Sequence, residues 1–414
     1  MDLSGNVAAT GDGRVHMDPS RALKWLLFLY LASAALVAVQ RTVLAHENNF
    51  LIFRAATAHL AIGRDLYAAY PLEHADHFKY SPTFAELFAP FALLPVVPGY
   101  MLWAFVCAFA MYAGVVNALP PRAAVVALAL SLLAVIGDLQ RAQSNVLCAG
   151  LMILAFVGFE RRMAWRPAIA IATGAFVKLF PIVAVVFALY HPRRFRSGAI
   201  VLCALAAGAV LPLLVISPSS LAMQYRSWAA ILASDAVPHA HYGTGGADVY
   251  AGISGLMNLW WGVRWPDWPV QLAGGLLLVA PLALRREAWA TSNARLRVLA
   301  SVLVFCVLFN HRAESPSYSI AIIGASIWFA VSERTWWRVA LIVAVLVVVD
   351  LMSTDLMPHD WYAGWYVPNM VKTYPLIPLW VVMQLELFGV ISNRGGQVAD
   401  RQAGSALRKS VSVA

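Results

Sequence analysis

About ten long apolar stretches recur along this chain, and short loops that carry charged residues separate them. An α-helix needs about 20 apolar residues to cross the hydrocarbon core of a bilayer, and half of these stretches approach that length. Hydrophobic residues make up 61% of the 414 residues and charged residues only 12%. Soluble globular domains carry about twice that share of charge. The sequence therefore predicts an all-α polytopic membrane protein.

The basic residues orient the predicted spans. These spans are 23–44, 97–118, 123–136, 145–159, 197–216, 267–284, 298–309, 318–332, 339–352 and 373–390. Lysines and arginines concentrate in the loops on one side, which the positive-inside rule assigns to the cytoplasm. Both termini are then cytoplasmic, with tails 1–22 and 393–414 on either side of a single transmembrane domain, 23–392. The net charge of +9 follows this pattern, so it indicates a multi-pass protein of the cell (inner or plasma) membrane and no nucleic-acid partner.

Residues 167–190 have the length of one span, but basic residues flank them at both ends. The preceding RRMAWR and the following HPRRFR both favour the cytoplasm, so a single crossing would break the positive-inside rule. Lys178 and Pro181 interrupt the middle of the stretch, and broken helices are tolerated in membranes where they line a polar cavity. The sequence predicts a re-entrant hairpin of two short helices with Lys178 near its tip.

The first long outer loop, 45–96, collects acidic, basic and histidine side chains in a chain that is otherwise poor in charge. Polar groups gathered beside many apolar spans suggest a site that faces one aqueous side, although an ordinary solvated loop is the alternative. Residues Phe50, Phe53, Ala56 and Leu60 follow a helical spacing, which predicts a short interfacial helix that lies on the membrane. The proline-bracketed stretch 80–95 predicts a second, partly embedded helix.

Three further outer segments carry groups suited to chemistry, besides the long outer loop 217–266. The segment 138–145 ends a span with hydrogen-bonding side chains, either as part of a site or as a helix cap. Lys178 requires an anion beside it, so it either holds a phosphate or pairs with a buried carboxylate. In the segment 310–315, Arg312 can hold a phosphate bidentately and Glu314 can take a proton, or the two form a pair that fixes the turn. No HExxH or DxD motif occurs, so neither a metal nor another cofactor is predicted.

Four runs of the sequence carry a resemblance to a known family. They are GRDLYAAYPLEHADHFKYSPTFAELFAPFALLP, QSNVLCAGLMILAF, GAFVKLFPIVAVV and FNHRAESPSYSIAI, in this order. Together they resemble glycosyltransferase family 87, whose members are polytopic enzymes of the GT-C type and include the mycobacterial phosphatidylinositol-mannoside mannosyltransferases. The resemblance covers most of residues 45–330. It implies a GT-C-like fold and a hexosyltransferase that uses a polyprenyl-phosphate sugar on the outer face.

The reaction implied by the resemblance is a direct displacement with inversion, helped by a carboxylate base in the first outer loop. Characterised mannosyltransferases of the family carry an aspartate where this chain has Asn49, in the run NNFLIFRAA, and an amide cannot act as a base. The candidate bases are instead Asp76 and Glu314, ranked first, followed by Glu47 and Asp65.

We expect a lipid-linked sugar donor, carrying a hexose or a pentose, and a lipid or glycan acceptor among the surrounding membrane lipids. The predicted substrate-binding residues are Asn49, Arg54, Tyr67, His74, Lys79, Tyr80, Gln143, Asn145, Lys178, Trp228, His311 and Arg312. A transporter or flippase of a lipid-linked or anionic solute is an alternative, as is a non-catalytic relative, which Asn49 would suit. A transporter would spread polar groups through the middle of the membrane. Because most of them collect on the outer face here, the sequence favours an enzyme.

Overall fold

The computed structural model describes residues 18–236, 251–262, 266–310, 312–354 and 356–392. Every regular element in these ranges is helical. The α-helices are α1 Pro19–Val43, α2 Asn48–Ala61, α3 Pro82–Leu87, α4 Ala89–Ala92, α5 Val96–Ala118, α6 Pro121–Gln140, α7 Asn145–Glu160, α8 Arg166–Val177, α9 Arg194–Val210, α10 Pro218–Ala236, α11 Ile253–Trp261, α12 Asp267–Leu284, α13 Glu287–Ala290, α14 Ser292–Leu308, α15 Tyr318–Val331, α16 Trp336–Val345, α17 His359–Trp361 and α18 Leu376–Leu387. Helical segments of the 3₁₀ or π type occupy Phe180–Ala188, Leu211–Leu214, Ser315–Ser317, Leu346–Asp350, Leu351–Ser353, Tyr362–Tyr366 and Val371–Thr373.

Among the described residues, six helical stretches are long and apolar enough to cross a membrane. They are Pro19–Val43, Val96–Ala118, Pro121–Gln140, Arg194–Leu214, Asp267–Leu284 and Trp336–Ser353. The other four predicted spans coincide with the shorter helices α7, α14, α15 and α18. The prediction of a helical membrane protein is confirmed, whereas the count of about ten full spans stays a prediction. The predicted tails lie almost entirely outside the described residues, although α1 already begins at Pro19.

The centre of the bundle depends on close contact between helix backbones. α5 packs against α7, and α14 packs against α15. A Cβ atom on Gly150 of α7 would lie 2.6 Å from the backbone of Met111 in α5. A Cβ atom on Gly324 of α15 would lie 2.8 Å from the carbonyl oxygen of Ala300 in α14. Such contacts are how membrane helices associate, because lipid is as apolar as their side chains and van der Waals packing must hold them together.

The helix predicted near the start of the first outer loop is present as α2, and its apolar face packs against the protein. Four side chains form its apolar face, each at most 2% exposed: Phe50, Phe53, Ala56 and Leu60. The Phe50 ring stacks on Tyr100 of α5 with 5.2 Å between centroids, and the Phe53 ring meets Phe84 of α3 edge-on at 5.1 Å. Protein therefore covers the face that a helix lying on the membrane would turn to lipid, and the position of α2 relative to the membrane stays a prediction.

The stretch 167–190 is broken at the predicted residue. α8 ends at Val177, Lys178 has an extended backbone, and a 3₁₀ helix begins at Phe180. Pro181 lies against α8, since a Cβ atom on Gly174 would be 2.8 Å from the Cβ atom of Pro181. Two short helices with Lys178 between them are therefore confirmed.

Both ends of this stretch lie beside the same end of α7. A Cβ atom on Gly158 would be 2.8 Å from the Pro167 ring, and the rings of Phe159 and His191 lie 6.1 Å apart. Lys178 instead contacts the first residue of α7, at the opposite end of that helix. A 16-residue helix such as α7 is about 24 Å long. The chain therefore runs along α7 and returns, which is the shape of the predicted hairpin.

We expect cysteines placed at positions 166 and 193 to react with a membrane-impermeant maleimide from the same face of the membrane, because both positions flank the open end of the hairpin. The labelling is carried out with Cys203, the exposed native thiol, changed to serine. The variant His46→Cys, in the loop after α1, is the control and should react from the opposite face. Labelling of positions 166 and 193 from opposite faces would show that the stretch crosses the membrane once.

Candidate functional site

A cavity of about 680 Å³ lies at the end of the bundle where α7 begins. Ligand pockets commonly measure about 300–1,000 Å³, so this cavity can hold a small-molecule substrate or the head of a lipid. Its walls come from the first outer loop, the hairpin tip, α10, α12, α14 and the turn after α14. The polar lining residues are Asn49, Asp76, His77, Lys79, Tyr80, Gln143, Lys178, Trp228, Gln271, Asn310, Arg312, Glu314 and Ser317.

The cavity brings together predicted site residues from segments that are far apart in the sequence. Of the four candidate bases, Asp76 and Glu314 line it. Of the predicted binding residues, those that line it are Asn49, Lys79, Tyr80, Gln143, Lys178, Trp228 and Arg312. Asn145 does not line the cavity but contacts Lys178 from behind its wall. His311 lies outside the described residues.

The tip of the hairpin places one ammonium group in the cavity. Lys178 Nζ donates a hydrogen bond to Asn145 Oδ1 at 2.7 Å and a weaker one to Gln143 Oε1 at 3.4 Å. The Tyr80 hydroxyl donates to the same Gln143 oxygen at 3.4 Å, and Lys178 Nζ lies 5.9 Å from the centre of the Tyr80 ring. None of the ion pairs in the described part of the chain includes Lys178. Neutral amides, rather than a carboxylate in direct contact, therefore hold this cation.

Arg312 and Glu314 enter the cavity from the tight turn between α14 and α15. The Glu314 N–H donates to the Arg312 carbonyl at 2.9 Å, which closes the turn. Burial lowers the pKa of the Arg312 guanidinium, and the Glu314 carboxylate acts in the opposite direction. Burial also raises the pKa of Tyr80, a shift that Lys178 opposes and Glu314 reinforces. Glu314 therefore lies within electrostatic reach of both cations.

Asp76 lies in the wall that the first outer loop forms. Its Oδ1 atom is 3.6 Å from Lys79 Nζ and accepts a hydrogen bond from the His77 N–H at 2.7 Å. The Asp76 side chain is 55% exposed, so an incoming molecule can reach it. On the same wall, Asn49 Nδ2 donates to the Arg141 carbonyl at 2.8 Å, which fixes the start of α2 against the turn between α6 and α7.

The remaining wall of the cavity is apolar. Trp228 of α10 is fixed there because its indole N–H donates to the Lys79 carbonyl at 3.2 Å. The apolar lining residues are Ile52, Phe53, Ala175, Phe176, Val177, Leu179, Phe180, Val183, Leu232, Phe305, Cys306 and Phe309. A wall of this kind next to two cations fits an amphiphilic ligand with an anionic head.

Some predicted residues lie outside the lining of the cavity: Glu47, Arg54, Asp65, Tyr67 and His74. Asp65 accepts hydrogen bonds from the Tyr67 N–H at 3.0 Å and from the Ser227 hydroxyl at 3.1 Å. It therefore ties the first outer loop to α10. The Tyr67 hydroxyl donates to the Tyr80 carbonyl at 2.8 Å, so Tyr67 supports the cavity wall from behind.

Four polar lining residues were not predicted as site residues: His77, Gln271, Asn310 and Ser317. His77 directly follows the predicted base Asp76. Asn310 directly precedes His311 and Arg312, and Ser317 lies three residues after Glu314. Asn310 already belongs to the segment 310–315, and a window two residues longer would have included Ser317. Gln271 is the one polar residue after Asp267 in the first turns of α12, and the sequence offers no other signal for it.

The family of this chain is identified by a match to a family model. A family model described as glycosyltransferase family 87 matches residues 78–310. The crystal structure of the Archaeoglobus fulgidus oligosaccharyltransferase in its apo form is similar with a TM-score of 0.39 and 12% sequence identity, and the match covers 85% of this chain and 56% of that chain. This chain thus spans little more than half the length of that protein. No curated protein matches it.

Proposed function

The chain belongs to glycosyltransferase family 87 and is a membrane glycosyltransferase, and from this premise we propose which substrates its cavity binds. The donor is a polyprenyl-phosphate sugar that carries a hexose or a pentose, and the acceptor is a hydroxyl of a lipid or glycan. The cavity faces the outer side of the cell membrane, with both termini in the cytoplasm. The observation that carries this proposal is the Lys178 ammonium, which is held by neutral amides next to an apolar wall.

Lys178 and Arg312 bind the phosphate of the donor. Among the described residues no carboxylate is bonded directly to Lys178, so its charge is available to an anion. Charge-assisted hydrogen bonds to phosphate are among the stronger contacts in proteins. Arg312 offers a planar fork of donors that matches two phosphate oxygens. The polyprenyl chain lies along Leu179, Phe180 and Phe309, which line the cavity beside these cations.

The reaction is a displacement at the anomeric carbon of the sugar. The bond from this carbon to the phosphate oxygen breaks, and a bond to the acceptor oxygen forms on the opposite face, which inverts the configuration. The departing polyprenyl phosphate gains a negative charge, which Lys178 and Arg312 stabilise. No proton needs to reach this leaving group. The acceptor hydroxyl loses its proton to a carboxylate.

Asp76 suits the role of the base better than Glu314 does. In a displacement with inversion, the base and the leaving phosphate lie on opposite sides of the sugar. Glu314 lies within electrostatic reach of Arg312 and Lys178, on the side proposed for the phosphate. Asp76 lies on the wall of the first outer loop and is exposed to an incoming hydroxyl. Glu314 then balances the charge of the two cations, while Trp228 and Tyr80 provide rings on which the sugar stacks.

The variants Lys178→Met and Arg312→Met are each expected to weaken donor binding by at least about tenfold. A hydrogen bond to a charged group contributes about 1.5–3 kcal/mol, and about 1.4 kcal/mol corresponds to a factor of ten. Binding of a polyprenyl-phosphate sugar to the purified protein in lipid nanodiscs measures the effect. The control is Lys24→Met, which removes an exposed lysine on α1 that does not line the cavity. Donor affinity equal to that of the control, in folded protein, would assign both cations a purely structural role.

A further inference from the structure

A buried carboxylate lies directly behind the amide that holds Lys178. Asp138, on the last turns of α6, is 1% exposed. Its Oδ1 atom accepts a hydrogen bond from Asn145 Nδ2 at 2.8 Å, and its Oδ2 atom accepts one from the Val146 N–H at 3.1 Å. The Ser319 hydroxyl makes a longer contact with Oδ1, at 3.4 Å. Carboxylate, amide and ammonium thus form a continuous line from Asp138 through Asn145 to Lys178.

The amide of Asn145 has one favourable orientation in this line. An ammonium group can only donate hydrogen bonds, and an ionised carboxylate can only accept them. The amide must therefore turn its oxygen to Lys178 and its nitrogen to Asp138, as observed at 2.7 Å and 2.8 Å. The reverse orientation would set two donors against each other on one side and two acceptors on the other. Asp138 thereby determines which atom of Asn145 meets the lysine.

Two arginines in the described part of the chain are paired in a different way. Arg338 Nη2 contacts Glu386 Oε1 directly at 2.8 Å, and Arg295 Nε contacts Glu160 Oε1 directly at 2.6 Å. A carboxylate in direct contact neutralises the cation and occupies the donors that a ligand would need. At Lys178 the amide of Asn145 takes the place of that carboxylate. The nearest acidic side chain in this line, Asp138, contacts the amide and not the lysine.

We propose that Asn145 is an insulating amide, a neutral contact that holds the Lys178 ammonium in position while leaving its charge free for the donor phosphate. Asp138 is the positioning residue that fixes the orientation of this amide. The inference rests on the proposed function, since it gives the reason why a lysine at the hairpin tip can bind a phosphate. It also adds two residues behind the cavity wall to those that determine phosphate affinity.

Exchanging the two side chains, in the double variant Asp138→Asn with Asn145→Asp, tests the proposal. In the exchanged protein the amide at 138 can accept from the Val146 N–H and donate to the carboxylate at 145. The second oxygen of that carboxylate then contacts Lys178 directly. The number of hydrogen bonds and the net charge are unchanged, but the ammonium becomes part of an ordinary ion pair. Affinity for phosphate should fall, while the fold is retained.

The measured quantity is the ratio of affinities for a polyprenyl phosphate and for the polyprenol of the same length, in nanodiscs. A purely structural role for the two residues would not change this ratio, because both probes share the apolar chain. We expect the exchange to lower the ratio by at least about tenfold, the same change that is expected for Lys178→Met. The melting temperature should stay close to that of the parent. Ser131→Ala removes a buried hydroxyl group from the same helix, α6. It controls for repacking and should keep the parent ratio.

The outcomes separate this inference from the proposed function. If Lys178→Met lowers the ratio and the exchange leaves it unchanged, the insulating amide is overturned and the phosphate site stands. If Lys178→Met itself keeps the parent ratio, the phosphate site is wrong and the inference is overturned with it. Should the exchanged protein not fold, Asn145→Asp alone is measured instead. The facing carboxyl groups at 138 and 145 then share one proton, which leaves the net charge unchanged, and an oxygen at 145 again contacts Lys178 directly.

Discussion

Asp76→Asn is expected to lower the turnover of a polyprenyl-phosphate sugar by about 10²–10⁴-fold, the range typical for loss of a general base. The amide has the same shape but cannot take the proton of the acceptor hydroxyl. Donor affinity should change far less, because the proposed phosphate site at Lys178 and Arg312 is on the other side of the sugar. Single-turnover measurements at saturating donor separate the chemical step from binding.

Two other carboxylates, one outside the site and one within it, provide the comparison. Asp360→Asn, at an exposed position outside the cavity lining, should keep the parent rate. Glu314→Gln should affect donor affinity more than turnover, since Glu314 acts on the cations. If Glu314→Gln abolished turnover while Asp76→Asn did not, the roles of the two acids would be reversed. A parent protein that binds such donors without ever turning them over would be a non-catalytic relative.

Arg338→Met is expected to destabilise the protein by about 3–5 kcal/mol, the cost of breaking a buried ion pair by removing one partner. Arg338 and Glu386 are 1% and 0% exposed, and their closest contact is 2.8 Å. Glu386 also accepts a hydrogen bond from the Trp328 indole at 3.0 Å, so the pair joins α15, α16 and α18. The charge of Arg297 lies close enough to Glu386 to favour the lower end of this range. The loss is measured as a shift of the denaturation midpoint in detergent.

Replacing both partners separates the cost of leaving a buried charge unpaired from the cost of lost packing. The double variant Arg338→Met with Glu386→Leu should recover much of the stability, because neither charge of the pair is left without the other and apolar side chains can fill the space. Arg297 and Glu333, which neighbour the pair, keep the recovery incomplete. The exposed Arg286 is the matched control, and Arg286→Met should change the free energy of unfolding by no more than about 0.5 kcal/mol. A midpoint for Arg338→Met equal to that of Arg286→Met would show that the ion pair contributes nothing to stability.

The sequence predicted those parts of the molecule whose position follows from the charge and hydropathy of neighbouring residues in the chain. The hairpin followed from basic residues on both flanks of 167–190 and from Lys178 in its middle, and the structure has the break at that lysine. Arg312 and Glu314 were predicted from their place between two apolar segments with no spacer. Both line the cavity, because a turn this short cannot move its side chains far from the helix ends.

The rest depended on which elements meet in three dimensions. Asp65 and Asp76 share one loop and look equivalent in the sequence, yet Asp65 binds α10 and Asp76 lines the cavity. The aromatic face of α2 has the spacing of a membrane-surface helix, and only the fold shows that α3 and α5 cover it. The sequence shows that the segment 138–145 is polar. Only the structure shows that Asp138 bonds Asn145 behind the cavity wall, whereas Gln143 lines the cavity.

The contacts of Lys178 also have a consequence for how the protein is made. A lysine in the middle of a membrane segment costs about 2.5–3.5 kcal/mol to insert when it has no partner there. Its partners Gln143 and Asn145 precede it in the chain by 35 and 33 residues, and Asp138 lies earlier still. The ribosome therefore delivers α6 and α7 to the membrane before the hairpin. When Lys178 leaves the translocation machinery, the amides that accept its hydrogen bonds are already in place, so the hairpin can fold onto α7 in the order of synthesis.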